Sequence, residues 1–250
     1  MFDLFDMSCL RTGIMAGSLC PVELMKQVEE KMYMKVTSVY GLTETAPGMT
    51  ASRIDDPFDV RCNTVGHDFE FTEVKVIDPE TGEECPVGVQ GEMCNRGYNT
   101  MKGYYKNPEA TAQIIDVNGW LHTGDLGVMD EEGYVTVRGR SKNMLLTSSG
   151  QNIYPEEIES KLNNMPYVAE SLIVLQHDKL VALIYPDFDD AFAHGLQQND
   201  IQKAMEVNRV ELNQQLPNYC QISKIKIHFE EFEKTAKKSI KRFMYQEAKG

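Results

Sequence analysis

The stretch RTGIMAGSLCPVELMKQVEEKMYMKVTSVYGLTET, residues 11–45, admits few folds. Thr12 to Met15 form a short apolar run that ends at Gly17. Pro21 suits the first turn of a helix, with Glu23 close behind it at the positive end of the helix dipole. Val22, Met25, Val28 and Met32 recur at three- and four-residue spacings and make one apolar stripe. The β-branched and aromatic VTSVY (36–40) then reads as a strand that Gly41 stops. Strand, helix and strand in this order predict a βαβ unit with its two strands parallel. Ligands of such sheets sit outside the carboxyl ends of strands. Two such ends are present, at AGS (16–18) and at YGLTET (40–45).

From about residue 60 the pattern becomes one of short strands and turns. TEVKVID alternates, PETGEECPVG is a turn cluster, and GEMCNRG and GYVTVRGR read as further strands. A small distorted barrel or sheet is expected there, with NPEATAQII as a short helix inside it. GWLHTGDLG places Asp125 in a Thr-Gly-Asp turn, and a glycine-rich hairpin leads on to Arg140 and Lys142. After RGRSKN the pattern changes again. YPEEIESKLNNM starts a helix with Pro155 in its first turn and Glu156 and Glu157 at the positive end of the dipole. AESLIVL and KLVALIYP are apolar strands around the turn QHDK, followed by a helix near 198–215 and the strand KIKIHF. The expected class is α/β followed by α+β, with residues 1–60 a βαβ region, 61–141 a β-rich, barrel-like subdomain and 142–250 a compact α+β domain.

Composition narrows the function classes. A hydrophobic content of 42% and a charged content of 25% over 250 residues are those of a soluble globular protein of one large or two ordinary domains. No apolar run approaches the roughly 20 residues of a membrane helix, so no integral membrane segment is expected. The start, MFDLFDMSCLRTG, lacks the basic and apolar regions of a secretion signal. Cys9, Cys20, Cys62, Cys85, Cys94 and Cys220 form no C-x-x-C pair, and none has a His neighbour at metal-ligand spacing, so they read as reduced thiols of a cytoplasmic protein. A net charge of −13 argues against nucleic acid as a partner. EKTAKKSIKR is a local exception, with Lys234, Lys237, Lys238, Lys241 and Arg242 close together; the ordinary reading of such a run is a solvated basic tail.

Taken singly, a Thr-Glu-Thr after a strand is a cap or turn, an Asp beside glycines is a turn residue, and an Arg after a strand is a surface ion pair. Their order is more specific. YGLTET, GEMCNRG…MKGYYKNPEAT, GWLHTGDLG, GYVTVRGRSKNMLLTSSGQNIYPEEIE and the late KTAKKSIKR together resemble the adenylate-forming enzymes, which include acyl-CoA synthetases, luciferases and peptide-synthetase adenylation domains. The resemblance covers essentially the whole chain, and RTGIMAGSLCPVELMKQV is most similar to medium- and long-chain fatty acyl-CoA synthetases.

The resemblance implies a chemistry. A carboxylate attacks the α-phosphate of ATP to give an acyl-adenylate and pyrophosphate, and the thiol of coenzyme A then displaces AMP. A fatty acid and coenzyme A are the implied substrates. The attacking carboxylate is already ionised near neutral pH, so rate must come from positioning and charge neutralisation. By motif match, Tyr40 with Gly41 would lie against adenine, and Ala16, Gly17 and Ser18 would line the purine pocket. Thr43 would contact phosphate oxygens and Glu44 would hold Mg²⁺, a hard cation that takes oxygen ligands. Asp125 would accept hydrogen bonds from the ribose hydroxyls and Arg140 would donate to the same sugar. Lys142 occupies the family's hinge, about which the small C-terminal domain rotates between the two half-reactions. Gly150 matches a backbone position lining the pantetheine tunnel.

Two departures from the family pattern qualify this. The late motif reads roughly Thr-x-x-Gly-Lys-Ile, whereas TAKKSI places Ser239 at the lysine and Lys238 at the glycine. A serine hydroxyl supplies no positive charge, so Lys238, with Lys237 as the alternative, is expected to reach in as the catalytic lysine. The second departure is the phosphate loop, a Ser/Thr/Gly-rich stretch ending in Pro-Lys that none of the 39 residues before Tyr40 forms. The expectation is therefore the remnant of a large α/β domain plus its mobile partner, inactive in adenylation by itself. Its open edge and apolar face invite self-association as a homodimer, or else a disordered start. Two other readings remain: an adenylation domain that loads a carrier protein, and a non-catalytic nucleotide-binding or interaction module.

Overall fold

A computed structural model describes residues 5–18, 20–147, 150–235 and 239–246 of the 250. The chain forms two compact units, Met1–Lys142 and Asn143–Gly250. No helix among the described residues is long and apolar enough to cross a membrane.

The first unit begins with the βαβ element. Strand β1 (Thr12–Ala16) and strand β2 (Lys35–Tyr40) are parallel, with Thr12 opposite Lys35 and Ala16 opposite Val39, and helix α1 (Val22–Met32) joins them. Met25 is fully buried and Val28 and Met32 are half-buried, so three residues of the apolar stripe face the sheet; Val22, at the start of the helix, stays exposed. β3 (Thr50–Ala51) and β4 (His67–Asp68) extend the sheet antiparallel in the order β1-β2-β3-β4. A short helix that the sequence pattern did not announce, α2 (Phe58–Asn63), carries Arg61 into the interior. There the guanidinium pairs with Glu29 of α1 and donates to the Val36 carbonyl at 2.6 Å.

The β-rich region is a sequential antiparallel sheet of β5 (Thr72–Ile77), β6 (Gly91–Gly97), β7 (Leu121–Met129) and β8 (Val135–Arg140). Of the two forms expected, barrel or sheet, it takes the open sheet: β5 and β8 are its edges. Helix α3 (Pro108–Ile114) lies between β6 and β7, with the Asn107 side chain accepting the Ala110 N–H at 3.1 Å as its cap. Met49, Val76, Met93 and Val135 are buried together, with Tyr40 packed against them, so the two sheets of this unit share a core.

The Thr-Gly-Asp segment differs from its expected form. It is part of the nine-residue strand β7 rather than a turn. Gly124 adopts φ +68°, and the β6–β7 register slips between Glu92 and Cys94. A glycine with left-handed backbone can form a bulge inside a strand as readily as a reverse turn. The bulge re-aims Asp125 without ending the strand.

The second unit is α+β. A small hairpin of β9 (Leu145–Leu146) and β10 (Asn152–Ile153) precedes α4 (Pro155–Leu162). β11 (Val168–Gln176) pairs antiparallel with β12 (Lys179–Pro186), which pairs parallel with β13 (Lys224–Ile227). Between β12 and β13 come α5 (Phe188–Ala193), which has no clear sequence period, and α6 (Gln198–Asn213). The runs LIVL and LVALI are apolar at every position because both faces are covered. Ile173, Ala182 and Ile184 pack with Ile158, Leu162, Ile201 and Met205 of the helices. Leu172, Val174, Val181 and Leu183 pack instead with Phe232, Ile240 and Tyr245 of the C-terminal segment.

Candidate functional site

Parallel pairing of β1 and β2 fixes where their ends emerge. Ala16 lies opposite Val39, so Ala16, Gly17 and Ser18, all exposed, leave the sheet at the same end as Tyr40 and Gly41. At Gly41 a Cβ would lie 1.8 Å from the Pro47 carbonyl oxygen, so only glycine lets the chain fold back there. The next residues form a 3₁₀ turn, Thr43–Thr45, closed by the Thr45 hydroxyl accepting the Leu42 N–H at 2.9 Å. That turn presents Thr43 to solvent and leaves Glu44 half-buried. Glu44 Oε1 accepts the Tyr104 hydroxyl at 2.8 Å, and its carbonyl accepts the Met101 N–H at 2.8 Å. This hydrogen bond, together with partial burial and the carboxylate's charge, holds the Tyr104 phenol above its ordinary range. Tyr104 stands in GYYKN, a stretch quoted for its resemblance but not singled out as a site.

Asp125 is the centre of the arrangement. It faces Arg140 directly across the β7–β8 ladder, and Arg140 Nε donates to Asp125 Oδ1 at 2.7 Å. The Tyr40 hydroxyl donates to Asp125 Oδ2 at 2.7 Å. Asp125 is 4% exposed, whereas 43% of the Arg140 side chain reaches solvent. Burial, then the Asp125 charge and hydrogen bond, push the Tyr40 phenol far up, so its hydroxyl remains a donor throughout the physiological range. The backbone around the carboxylate is fixed as well. Thr123 Oγ1 accepts the Asp125 N–H at 3.0 Å and donates to the Met93 carbonyl at 2.7 Å. Glu92 Oε1 accepts the Gly124 N–H at 2.8 Å, and the Ser141 hydroxyl donates to the Gly124 carbonyl at 3.2 Å.

The structure therefore brings Tyr40, Asp125 and Arg140 into direct contact and puts Ala16, Gly17, Ser18 and Gly41 at the strand ends beside Tyr40. Lys142 is exposed in the 3₁₀ turn Ser141–Asn143 and ends the first unit. Gly150, in the second unit, is exposed with φ +77° and donates its N–H to the Thr147 carbonyl at 3.0 Å. Lys238 and its alternative Lys237 lie outside the described residues.

The segment around those two lysines is anchored on both sides. Lys234 and Ile240 form an antiparallel bridge, and the Thr235 N–H donates to the Ser239 carbonyl at 2.8 Å. Lys234 pairs with Glu170 at 2.7 Å and Lys241 with Glu233 at 3.5 Å. Arg242 pairs with Glu159 and sits 3.8 Å from Glu156, whose Oε1 also accepts the Asn143 side-chain amide at 2.6 Å. Three of the five cations of the basic run are thus ion-paired, which is not how a solvated tail behaves.

Comparison with known proteins gives the chain's family. Residues 3–105 match the family model of the AMP-binding enzyme, and residues 142–248 match that of the AMP-binding enzyme C-terminal domain. YngI of Bacillus subtilis, provisionally named an acyl-CoA synthetase, is 52% identical over 174 residues, 69% of this chain and 32% of that protein. The mitochondrial medium-chain acyl-CoA ligase ACSF2 of Rattus norvegicus is 37% identical over 174 residues, again 69% of this chain and 28% of that one. The crystal structure of the anthranilate CoA ligase AuaEII in complex with anthranoyl-AMP has a TM-score of 0.80 and 27% identity, covering 98% of this chain and 44% of that one. The chain spans about a third of the length of the curated relatives it matches. With both models matched in chain order and acyl-CoA synthetases and ligases among its relatives, the chain belongs to the AMP-binding, adenylate-forming enzyme family.

Proposed function

We propose that this chain is the nucleoside-gripping and lysine-bearing part of an acyl-CoA synthetase, which joins a fatty acid to coenzyme A through an acyl-adenylate made from ATP. The convergence of Tyr40 and Arg140 on the Asp125 carboxylate carries the reading. A buried acceptor beside a half-exposed guanidinium suits the two neighbouring hydroxyls of a ribose. Asp125 accepts from them and Arg140 donates, while the Tyr40 ring and the exposed strand ends at Ala16, Gly17, Ser18 and Gly41 receive the base. Acyl-CoA ligases among the relatives support the substrate class, and the adenylate held by AuaEII supports the nucleotide.

Thr43, on the exposed turn, is assigned to phosphate oxygens, and Glu44 to Mg²⁺. The fit at Glu44 is chemical: a half-buried carboxylate with one oxygen held by Tyr104 and a second available is a hard oxygen donor. A cation held by Glu44 would supply positive charge to the phosphate oxygens. Lys238 supplies positive charge to the reacting carboxylate and α-phosphate, with Lys237 as the alternative. Residues 1–141 and 142–250 act as two domains that rotate about Lys142 between the half-reactions, and Gly150 lines the path of the pantetheine thiol. The chain alone is inactive in adenylation, works in the cytoplasm, and self-associates through the open edge of β1, where Ile14, Val22 and Leu24 are exposed. The lysine assignment is tested in a full-length ligase that contains this chain. Lys238→Ala should lower acyl-adenylate formation by about 100-fold or more while leaving thioester formation from preformed adenylate intact. Full adenylation by that variant would refute it.

A further inference from the structure

Two side chains that the nucleoside site leaves unused, Cys94 and His122, meet a third, Glu92, on the β6–β7 ladder. Cys94 lies directly opposite His122, and Glu92 stands two residues before Cys94, so all three project from one face of the sheet. Cys94 Sγ is 3.7 Å from His122 Nδ1, which is 3.0 Å from Glu92 Oε2. The sulfur, nitrogen and oxygen donors all lie within 4.8 Å of one another. Tetrahedral zinc, with Zn–S of about 2.3 Å and Zn–N or Zn–O of about 2.0–2.1 Å, sets its ligands about 3.3–3.6 Å apart. The sulfur–imidazole and imidazole–carboxylate separations are within a few tenths of an ångström of these values, while the sulfur–carboxylate pair, within 4.8 Å, closes by no more than about 1.2 Å, a side-chain adjustment.

We propose that Glu92, Cys94 and His122 form a site for a divalent cation of the zinc class, distinct from the magnesium assigned to Glu44. The donor set decides the class. Sulfur and imidazole favour zinc or cobalt over magnesium or calcium, which take oxygen. Cys94 is fully buried, whereas about a third of the His122 side chain is exposed, which gives a cation its way in and leaves a fourth position for water. Without a metal, burial pushes the Cys94 thiol up to about 12, so it is an inert hydrogen-bonding group; a bound cation displaces its proton.

The site is coupled to the nucleoside grip through one side chain. Glu92 Oε2 faces the metal position while Oε1 holds the Gly124 N–H, one residue before Asp125. Occupancy therefore pulls on the bulge that aims Asp125. The inference stands independently of the ligase reading, because metal binding is measured on the chain itself.

The test is titration of the chelator-stripped chain with Co²⁺, followed by Zn²⁺. The expected result is one equivalent of Co²⁺ with a sulfur-to-cobalt charge-transfer band in the near ultraviolet, displaced by Zn²⁺. Cys94→Ser should abolish the band, His122→Ala should weaken binding by at least ~10-fold, and Cys85→Ser should leave both unchanged. Absence of the band, or a band that survives Cys94→Ser, overturns the proposal. If Cys94→Ser fails to fold, His122→Ala, at a part-exposed position, decides: unchanged Co²⁺ affinity in that variant overturns it equally.

Discussion

Asp125 is buried, charged and hydrogen-bonded from two directions, and its environment explains why single residues in the chain carry so much of the reading. Asp125 and Arg140 were legible in the sequence because they flank a single hairpin. The Tyr40 hydroxyl bond was not, since it joins residues 85 apart and no spacing rule reaches that far. The Thr-Gly-Asp motif was recognised but given the wrong backbone form, because a glycine that takes positive φ serves a turn and a bulge equally well. Cys94, His122 and Glu92 escaped for the same reason as Tyr40: ligand spacing along the chain says nothing about ligands that meet across strands. The Tyr40 contact makes a prediction of its own. Tyr40→Phe keeps the ring but removes the donor to Asp125, and should cost about 1.5–3 kcal/mol of stability while leaving the stacking surface. A chemical denaturation midpoint equal to that of the wild type would show that the hydroxyl contributes nothing.

Among the elements, those with strong periodicity or turn punctuation were readable and the short ones were not. The βαβ unit, α4, α6 and the three-stranded sheet β11–β13 of the second unit all follow from apolar pattern and caps. α2 and α5, six residues each, are too short to display a helical period and were missed. Charge alone makes the C-terminal run a solvated basic tail, and the late motif makes it the bearer of the catalytic lysine; Ile240 within it, with Phe232 and Tyr245 beside it, covers a sheet face, and three of its cations are paired. Arg242 shows what this anchoring is worth. Burial pushes the Glu159 carboxyl up while the guanidinium and the Ile173 N–H, 2.6 Å away, pull it back. Arg242→Gln leaves that carboxylate buried without its partner and should cost about 3–5 kcal/mol at neutral pH. The sign follows from linkage. Removing Arg242 raises the folded-state value further above the ordinary carboxylate range, so the variant's stability falls as pH rises through it. The deficit should be small near pH 4 and grow toward pH 7 in urea titrations. A deficit independent of pH would place the cost elsewhere.

The chain as a whole presents an open sheet edge and an ordered site on the same unit. Among the described residues β1 has one neighbour, and Ile14, Val22 and Leu24 are exposed, the arrangement that templates pairing with another chain. Sedimentation velocity should reveal concentration-dependent self-association that Ile14→Asp abolishes; a species that remains monomeric at every concentration would remove this expectation. The proposed grip on ribose is judged by calorimetric titration of the chain with AMP and with its 2′,3′-dideoxy counterpart. AMP should bind about 10- to 100-fold more tightly, the value of one charge-assisted hydrogen bond of about 1.5–3 kcal/mol, and Asp125→Asn should erase the difference. Equal affinity for the two nucleotides in the unaltered chain, or a difference that survives Asp125→Asn, would mean that Asp125 and Arg140 do not hold the sugar.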